Sequence, residues 1–113
     1  MTKSERIKTE LERISVYFAD IADNQRAVIL PLLQNAAFMK VTLEDLQELI
    51  NDDGLIDEYQ NGENQKGLKV SAALQSYNST VKNYGGVIKQ VFSLLPKEIK
   101  TNKLQQMLAE QED

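Results

Sequence analysis

The residues between 70 and 95 carry the pattern that most restricts the fold. Apolar side chains recur there at intervals of 4, 3, 4, 3, 4, 3 and 4, at Val70, Leu74, Tyr77, Val81, Tyr84, Ile88, Val91 and Leu95. Only a helix brings this spacing onto one face, because a strand alternates with a period of two. The pattern predicts a helix over residues 71–95, capped by Ser71, ended by Pro96 and roughly 37 Å long.

A second helix is predicted over residues 23–53. One apolar stripe has the same spacing, at Leu32, Ala36, Met39, Leu43, Leu46 and Ile50. Beside it, in the N-terminal half only, runs a shorter stripe of Ile29, Leu33, Ala37 and Val41. Because each stripe needs a surface to pack against, this half of the helix is expected to have two packing partners.

Two features interrupt the second helix in the sequence. Pro31 cannot donate to the carbonyl of Ala27, so it either begins the regular helix after a short turn or kinks a longer one. The run Thr42-Leu43-Glu44-Asp45 is typical of a helix start, which makes a break near Lys40–Val41 a further alternative.

The two ends of the chain are predicted to be helical as well. Residues 1–22 contain an amphipathic helix from about Ser4 to Asp20, with apolar positions at Ile7, Leu11, Ile14, Phe18 and Ile21. Residues 96–113 have weaker periodicity, and a short helix near Asn102–Ala109 is expected there.

Residues 54–70 connect the two long stripes. Stripes of similar length joined in this way favour an antiparallel helical hairpin, with the connector reversing the chain. Asn61-Gly62 is a hairpin turn signal between short apolar segments, so the connector is either a small β-hairpin or an irregular polar loop. The 113 residues are therefore predicted to form a single all-α domain: a long antiparallel helical hairpin with an additional N-terminal helix.

The composition argues against catalysis. The chain has neither Cys nor His, which excludes zinc sites of the usual kind, and the common nucleophile–base pairs are absent. No phosphate-binding, dinucleotide or metal-loop motif occurs, and no apolar run approaches membrane-spanning length. We expect a non-enzymatic protein without a cofactor, a metal or a membrane partner.

The net charge is −4, but acidic and basic residues are concentrated in different segments of the chain. Residues 41–65 hold eight acids and no base, whereas residues 66–109 hold seven lysines and one acid. The two arms either attract each other, within the fold or between subunits, or part of the basic arm faces a polyanion.

The predicted third helix has an unusually uncharged surface. Only Lys82 and Lys89 are ionised between Ser71 and Leu95, and Gly85-Gly86 lies between them. Because such a surface meets another protein without desolvating many charges, Lys82, Gly85, Gly86 and Lys89 mark a candidate interface between subunits or with a partner. The alternatives are a hinge at the glycines, a kink there where a neighbouring side chain needs room, and an ordinary solvated face.

Three runs of the sequence together resemble one protein family. They are LLQNAAFMKVTLEDLQELINDDG, EYQNGENQKG and LQSYNSTVKNYGGVIKQVFSLLP. They resemble the small subunit of phage terminases, in the short form found in phages and prophages of Gram-positive bacteria. The resemblance covers roughly Asn24 to Pro96, and the chain departs from it at Ala72 and at Gly85-Gly86.

The resemblance implies a non-catalytic component of phage DNA packaging. Such a subunit recognises double-stranded viral DNA, assembles with copies of itself and engages the large terminase subunit, in the cytoplasm of the bacterial host. On charge alone, the candidate DNA contacts are Arg6, Arg13, Lys97, Lys100 and Lys103. The alternative is a helical assembly adaptor that binds protein but no DNA.

Overall fold

The structure is a computed structural model that describes residues 1–60, 66–95, 105–106 and 108–110, with the backbone alone for 57–60 and 66. Helix α1 spans Lys3–Ser15 and continues as a 3-10 turn over Val16–Phe18. Helix α2 spans Asp23–Asp53, strands β1 and β2 span Ile56–Gln60 and Lys66–Val70, and helix α3 spans Ala72–Ser93. The all-α class is confirmed, since the two strands are the only non-helical elements in these ranges.

Helix α1 begins with a capping box. The Thr2 hydroxyl accepts from the Glu5 N–H at 3.1 Å, and the Thr2 N–H donates to the Glu5 carboxylate at 3.3 Å. The α-helix ends at Ser15, earlier than the predicted Asp20, because the chain tightens into the 3-10 turn. This turn buries Phe18, whose ring lies 6.4 Å from that of Phe92 in α3.

Helix α2 is continuous over 31 residues, so neither Pro31 nor Lys40–Val41 divides it. Pro31 and Ala27 both lie on the exposed side, where solvent can hydrogen-bond the carbonyl that Pro31 leaves without a donor. The helix ends at Gly54 as predicted. Its φ of +86° is a conformation that glycine adopts at little cost, and its N–H donates to the Ile50 carbonyl at 2.8 Å.

We expect Pro31→Ala to raise the free energy of unfolding by about 1–2 kcal/mol, since an interior proline costs a helix about 3 kcal/mol and part of the gain is lost by freeing the unfolded chain. Urea denaturation measures the change, and Gln34→Ala, on the exposed side one turn later, is the matched control. A destabilised Pro31→Ala protein would show that the proline shapes the packing of α2.

Helices α2 and α3 run antiparallel, as predicted. The Gln47 side chain donates to the Tyr77 hydroxyl at 3.0 Å near the β-strand end of the pair. At the opposite end Asn24 and Leu94 line one depression. The N-terminal part of α2 is therefore close to the C-terminal part of α3.

The hydrophobic core lies at one end of this pair, where α1 also packs. Its buried side chains come from α1 and the residues that follow it, from the N-terminal half of α2, and from the end of α3 and the residues just after it: Ile14, Phe18, Ile21, Ile29, Leu33, Ala36, Ala37, Val91 and Leu95. The prediction of two partners for this half of α2 is correct.

Beyond the core the predicted seam is only partly buried. Val70, the first position of the regular spacing, belongs to β2 instead of the third helix and is exposed. Val81 lies in α3 and is exposed as well. The reason is that α1 covers only part of α2, and two helices alone enclose less surface than three. The radius of gyration is 18.3 Å, above the roughly 13 Å of a compact domain of this size, so the molecule is elongated.

The connector contains the β-hairpin that the sequence left open. Strands β1 and β2 pair antiparallel, with Ile56 opposite Val70 and Glu58 opposite Leu68. The Asn61-Gly62 turn lies outside the described residues. In the C-terminal tail, Gln105, Gln106 and Leu108–Glu110 are helical, and the rest of the predicted short helix also falls outside them.

Candidate interaction surfaces

The candidate interface on α3 forms one exposed face. Lys82, Gly85, Gly86 and Lys89 follow each other at helical spacing, and all four are exposed. Among the described residues neither lysine has an ion-pair partner. Two cations therefore flank a pair of glycines on a surface that the rest of the described chain leaves open.

The glycine pair does not make room for a neighbouring side chain. Helix α3 passes through both residues, and a Cβ built on either would meet no atom within 4 Å. Gly86 lies instead in an open groove of about 560 Å3, together with Met39, Lys82, Asn83, Val87 and Gln90. Crowding among the described residues therefore does not account for the glycines.

We expect the double substitution Gly85→Ala/Gly86→Ala to stabilise the isolated chain by up to about 2 kcal/mol, because each alanine costs a helix about 1 kcal/mol less than glycine and meets no steric obstacle. Thermal unfolding at low protein concentration measures the gain. If the glycines serve close approach between subunits, the same variant loses self-association while its melting temperature rises. A lower melting temperature at low concentration would contradict the open surface.

Arg6, a predicted DNA contact, is engaged by two acids of α2. Its Nη1 donates to the Asp45 carboxylate at 2.6 Å and its Nη2 to Glu44 at 3.4 Å. These hydrogen bonds raise the pKa of Arg6, with the Asp45 bond the larger cause. Lys3 joins the cluster, with its Nζ 3.8 Å from Asp45 and 4.9 Å from the centre of the Phe38 ring.

This cluster is a contact that the charge pattern did not predict. Asp45 pairs with Lys3 and Arg6 of α1, and Glu44 pairs with Arg6. Attraction between the 41–65 arm and the lysines of residues 66–109 stays a prediction. Lys3 and Arg6 stand one helical turn apart and so share a face of α1. That spacing is visible in the sequence, but it does not say which acids the face will meet.

Arg13, the second predicted DNA contact from α1, is also held by two acids. Its Nη2 donates to Glu10 at 2.6 Å and its Nη1 to Glu110 at 2.9 Å. The hydrogen bond with Glu10 is the main cause that raises the pKa of Arg13. The Glu110 bond ties the described end of the C-terminal tail to α1.

A cavity of about 270 Å3 opens beside this ion pair, between all three helices. Apolar side chains such as Phe18, Leu33 and Val91 line it together with Lys40 and the half-buried Tyr84. Burial raises the pKa of Tyr84, and the nearby Glu10 carboxylate raises it further. The phenol is protonated at neutral pH, as an ordinary tyrosine is, and can donate a hydrogen bond. No sequence motif indicated that these residues line a common cavity, because they lie far apart in the chain.

Lys97, Lys100 and Lys103 lie outside the described residues, so the five predicted DNA contacts are seen only at Arg6 and Arg13. None of the helices in the described ranges combines the length and apolar character that crossing a membrane requires. Within the same ranges no three acidic side chains gather as they would around a metal ion.

Comparison with known proteins adds no relative to this picture. No family model matches the chain, and neither a curated protein nor a solved structure matches it.

Proposed function

We propose that the protein is a non-catalytic component of phage DNA packaging, a terminase small subunit. In this role it assembles with copies of itself, binds double-stranded viral DNA and engages the large terminase subunit in the cytoplasm of the host bacterium. The resemblance of residues 24–96 supplies the family, and the helical hairpin is compatible with it.

The open face of α3 is the observation that carries the proposal. It offers two lysines without ion-pair partners among the described residues and two glycines that no described neighbour requires. A surface with few charges, no crowding and an adjoining groove suits contact with another protein. The elongated shape supports the same conclusion, because a chain with a core at one end leaves much surface for assembly.

Light scattering tests the proposal directly. We expect a mass of several protomers for the protein alone, and a larger complex after addition of a duplex from the packaging region of the phage. A monomer whose mass does not change with DNA would reject the proposal. An oligomer that ignores DNA but binds a protein partner would favour the alternative, an assembly adaptor. The observation in favour of that alternative is that Arg6 and Arg13 are both already bound to acids.

We expect Asp45→Asn to strengthen DNA binding if Arg6 contacts phosphate, because the substitution removes the shortest ion pair of Arg6. One additional phosphate contact should steepen the dependence of log affinity on log salt by about one unit. Fluorescence anisotropy across a salt series measures this slope. Asp52→Asn makes the same change in net charge at an exposed position near the end of α2. Equal effects of the two substitutions would remove Arg6 from the DNA contacts.

A further inference from the structure

The β-hairpin exposes an apolar surface. Leu68 is 71% exposed, Ile56 58% and Val70 48%, and Ile56 and Val70 are directly paired. A two-stranded hairpin alone is at best marginally stable in water, and it gains stability from a third strand or from packing. Within the described part of the chain, the hairpin is left without this additional strand or packing surface.

One backbone hydrogen bond establishes which N–H and C=O groups lie unpaired along the outer edges of the two strands. The Ser71 N–H donates to the Leu55 carbonyl at 2.8 Å, which continues the ladder one position past the strands. Hydrogen-bonded and non-hydrogen-bonded pairs alternate along an antiparallel ladder. The Glu58–Leu68 pair is therefore non-hydrogen-bonded, and its backbone N–H and C=O groups point away from the partner strand. Each strand thus presents an edge that another strand can join.

The two edges differ in charge. Strand β1 contains Asp57 and Glu58 and no base, whereas β2 contains Lys66 and Lys69 and no acid. Pairing β1 with β1, or β2 with β2, would bring like charges together across strands, which is unfavourable. Pairing the β2 edge of one copy with the β1 edge of another brings opposite charges together.

We propose that the hairpin is an assembly element, in which β2 of one copy adds edge to edge to β1 of a second copy. Copies related by rotation then form a continuous antiparallel sheet and place the apolar side chains of adjacent hairpins beside each other. The contact is head to tail, so it closes into a ring when the rotation allows. This inference deepens the proposed self-association and rests on it, but it does not depend on DNA binding.

A charge-swapped chain tests the pairing. The quadruple variant Asp57→Lys/Glu58→Lys/Lys66→Glu/Lys69→Glu keeps opposite signs between the two strands of its own hairpin and between its own copies. Mixed with the original chain, it meets like charge at every junction. We expect native mass spectrometry to find each chain in its own oligomers, with mixed oligomers about tenfold below random mixing.

Other contacts give other results in the same experiment. Pairing of like edges would favour mixed oligomers, and packing through the apolar face alone would give random mixing. Either result would overturn the proposal, as would an original chain that is a monomer at all concentrations.

A proline substitution tests the edge itself. Leu68→Pro removes an outward N–H and leaves the bonds of the hairpin intact, whereas the control Leu68→Ala keeps that N–H and removes the same apolar contact. We expect the proline to weaken self-association about tenfold more than the alanine. Circular dichroism of both variants verifies that the total helix content is unchanged. Equal weakening by the two variants would overturn edge pairing. DNA binding, measured on the same proteins at low salt, tests the proposed function separately.

Discussion

Phe18→Ala is expected to lower the free energy of unfolding by about 3–5 kcal/mol, the range for deleting a buried aromatic side chain. Phe18 is 4% exposed and belongs to the core, where its ring meets Phe92 of α3. It also lines the cavity between the three helices, so truncation would enlarge a space that already exists. Since a domain of this size has about 5–15 kcal/mol of total stability, a loss of about 3–5 kcal/mol removes between a fifth and all of it.

Chemical denaturation followed by circular dichroism measures this loss. Phe38→Ala is the matched control, because the same side chain is removed from α2 at a position that is 51% exposed. Its contact with Lys3 lies at the surface, so the expected loss is about 1 kcal/mol or less. Similar losses for the two variants would mean that the 3-10 turn does not direct Phe18 into the core.

The triple substitution Lys97/Lys100/Lys103→Ala is expected to have the largest effect on DNA binding. If all three lysines contact phosphates, the slope of log affinity against log salt falls by about three units, since each contact contributes about 0.9. Affinity at moderate salt should then fall at least about tenfold. The salt series described for Asp45→Asn measures both quantities, with the oligomeric state checked in parallel.

The control for this experiment removes positive charge elsewhere. Lys8→Ala/Lys40→Ala changes two lysines of α1 and α2 and leaves the C-terminal tail untouched. Its salt slope should equal that of the unaltered protein if binding depends on the tail. If instead the triple variant keeps the original slope and affinity, these three lysines are not DNA contacts.

Local patterns in the sequence predicted most of the secondary structure. The spacing from Val70 to Leu95 gave α3 almost to its ends, and Gly54 gave the end of α2, because periodicity and glycine conformation depend on neighbouring residues only. The two apolar stripes around Leu33 also predicted that two helices pack against α2, since each stripe is stabilised by packing against a surface of its own.

Other features depended on distant parts of the chain. The seam predicted burial at Val81, and its exposure follows from the limited length of α1, which the residues around Val81 do not encode. The partners of Arg6 and Arg13 could not be predicted from the sequence either. A positive charge on a helix face pairs with the acid that the tertiary fold places opposite it. The composition indicated the candidate surface on α3, but the open space around Gly86 depends on how the other helices pack.

The position of the core at one end has a consequence for local opening. Backbone amides near Leu33 and Val91 are shielded by three packed helices, whereas those near Ile50 and Leu74 belong to a region with fewer buried neighbours. Free energies of opening should therefore fall along α2 toward the strands, and deuterium uptake should be fastest there. An assembly contact at that far end would slow the uptake, so the least protected part of a single subunit would gain most from neighbours.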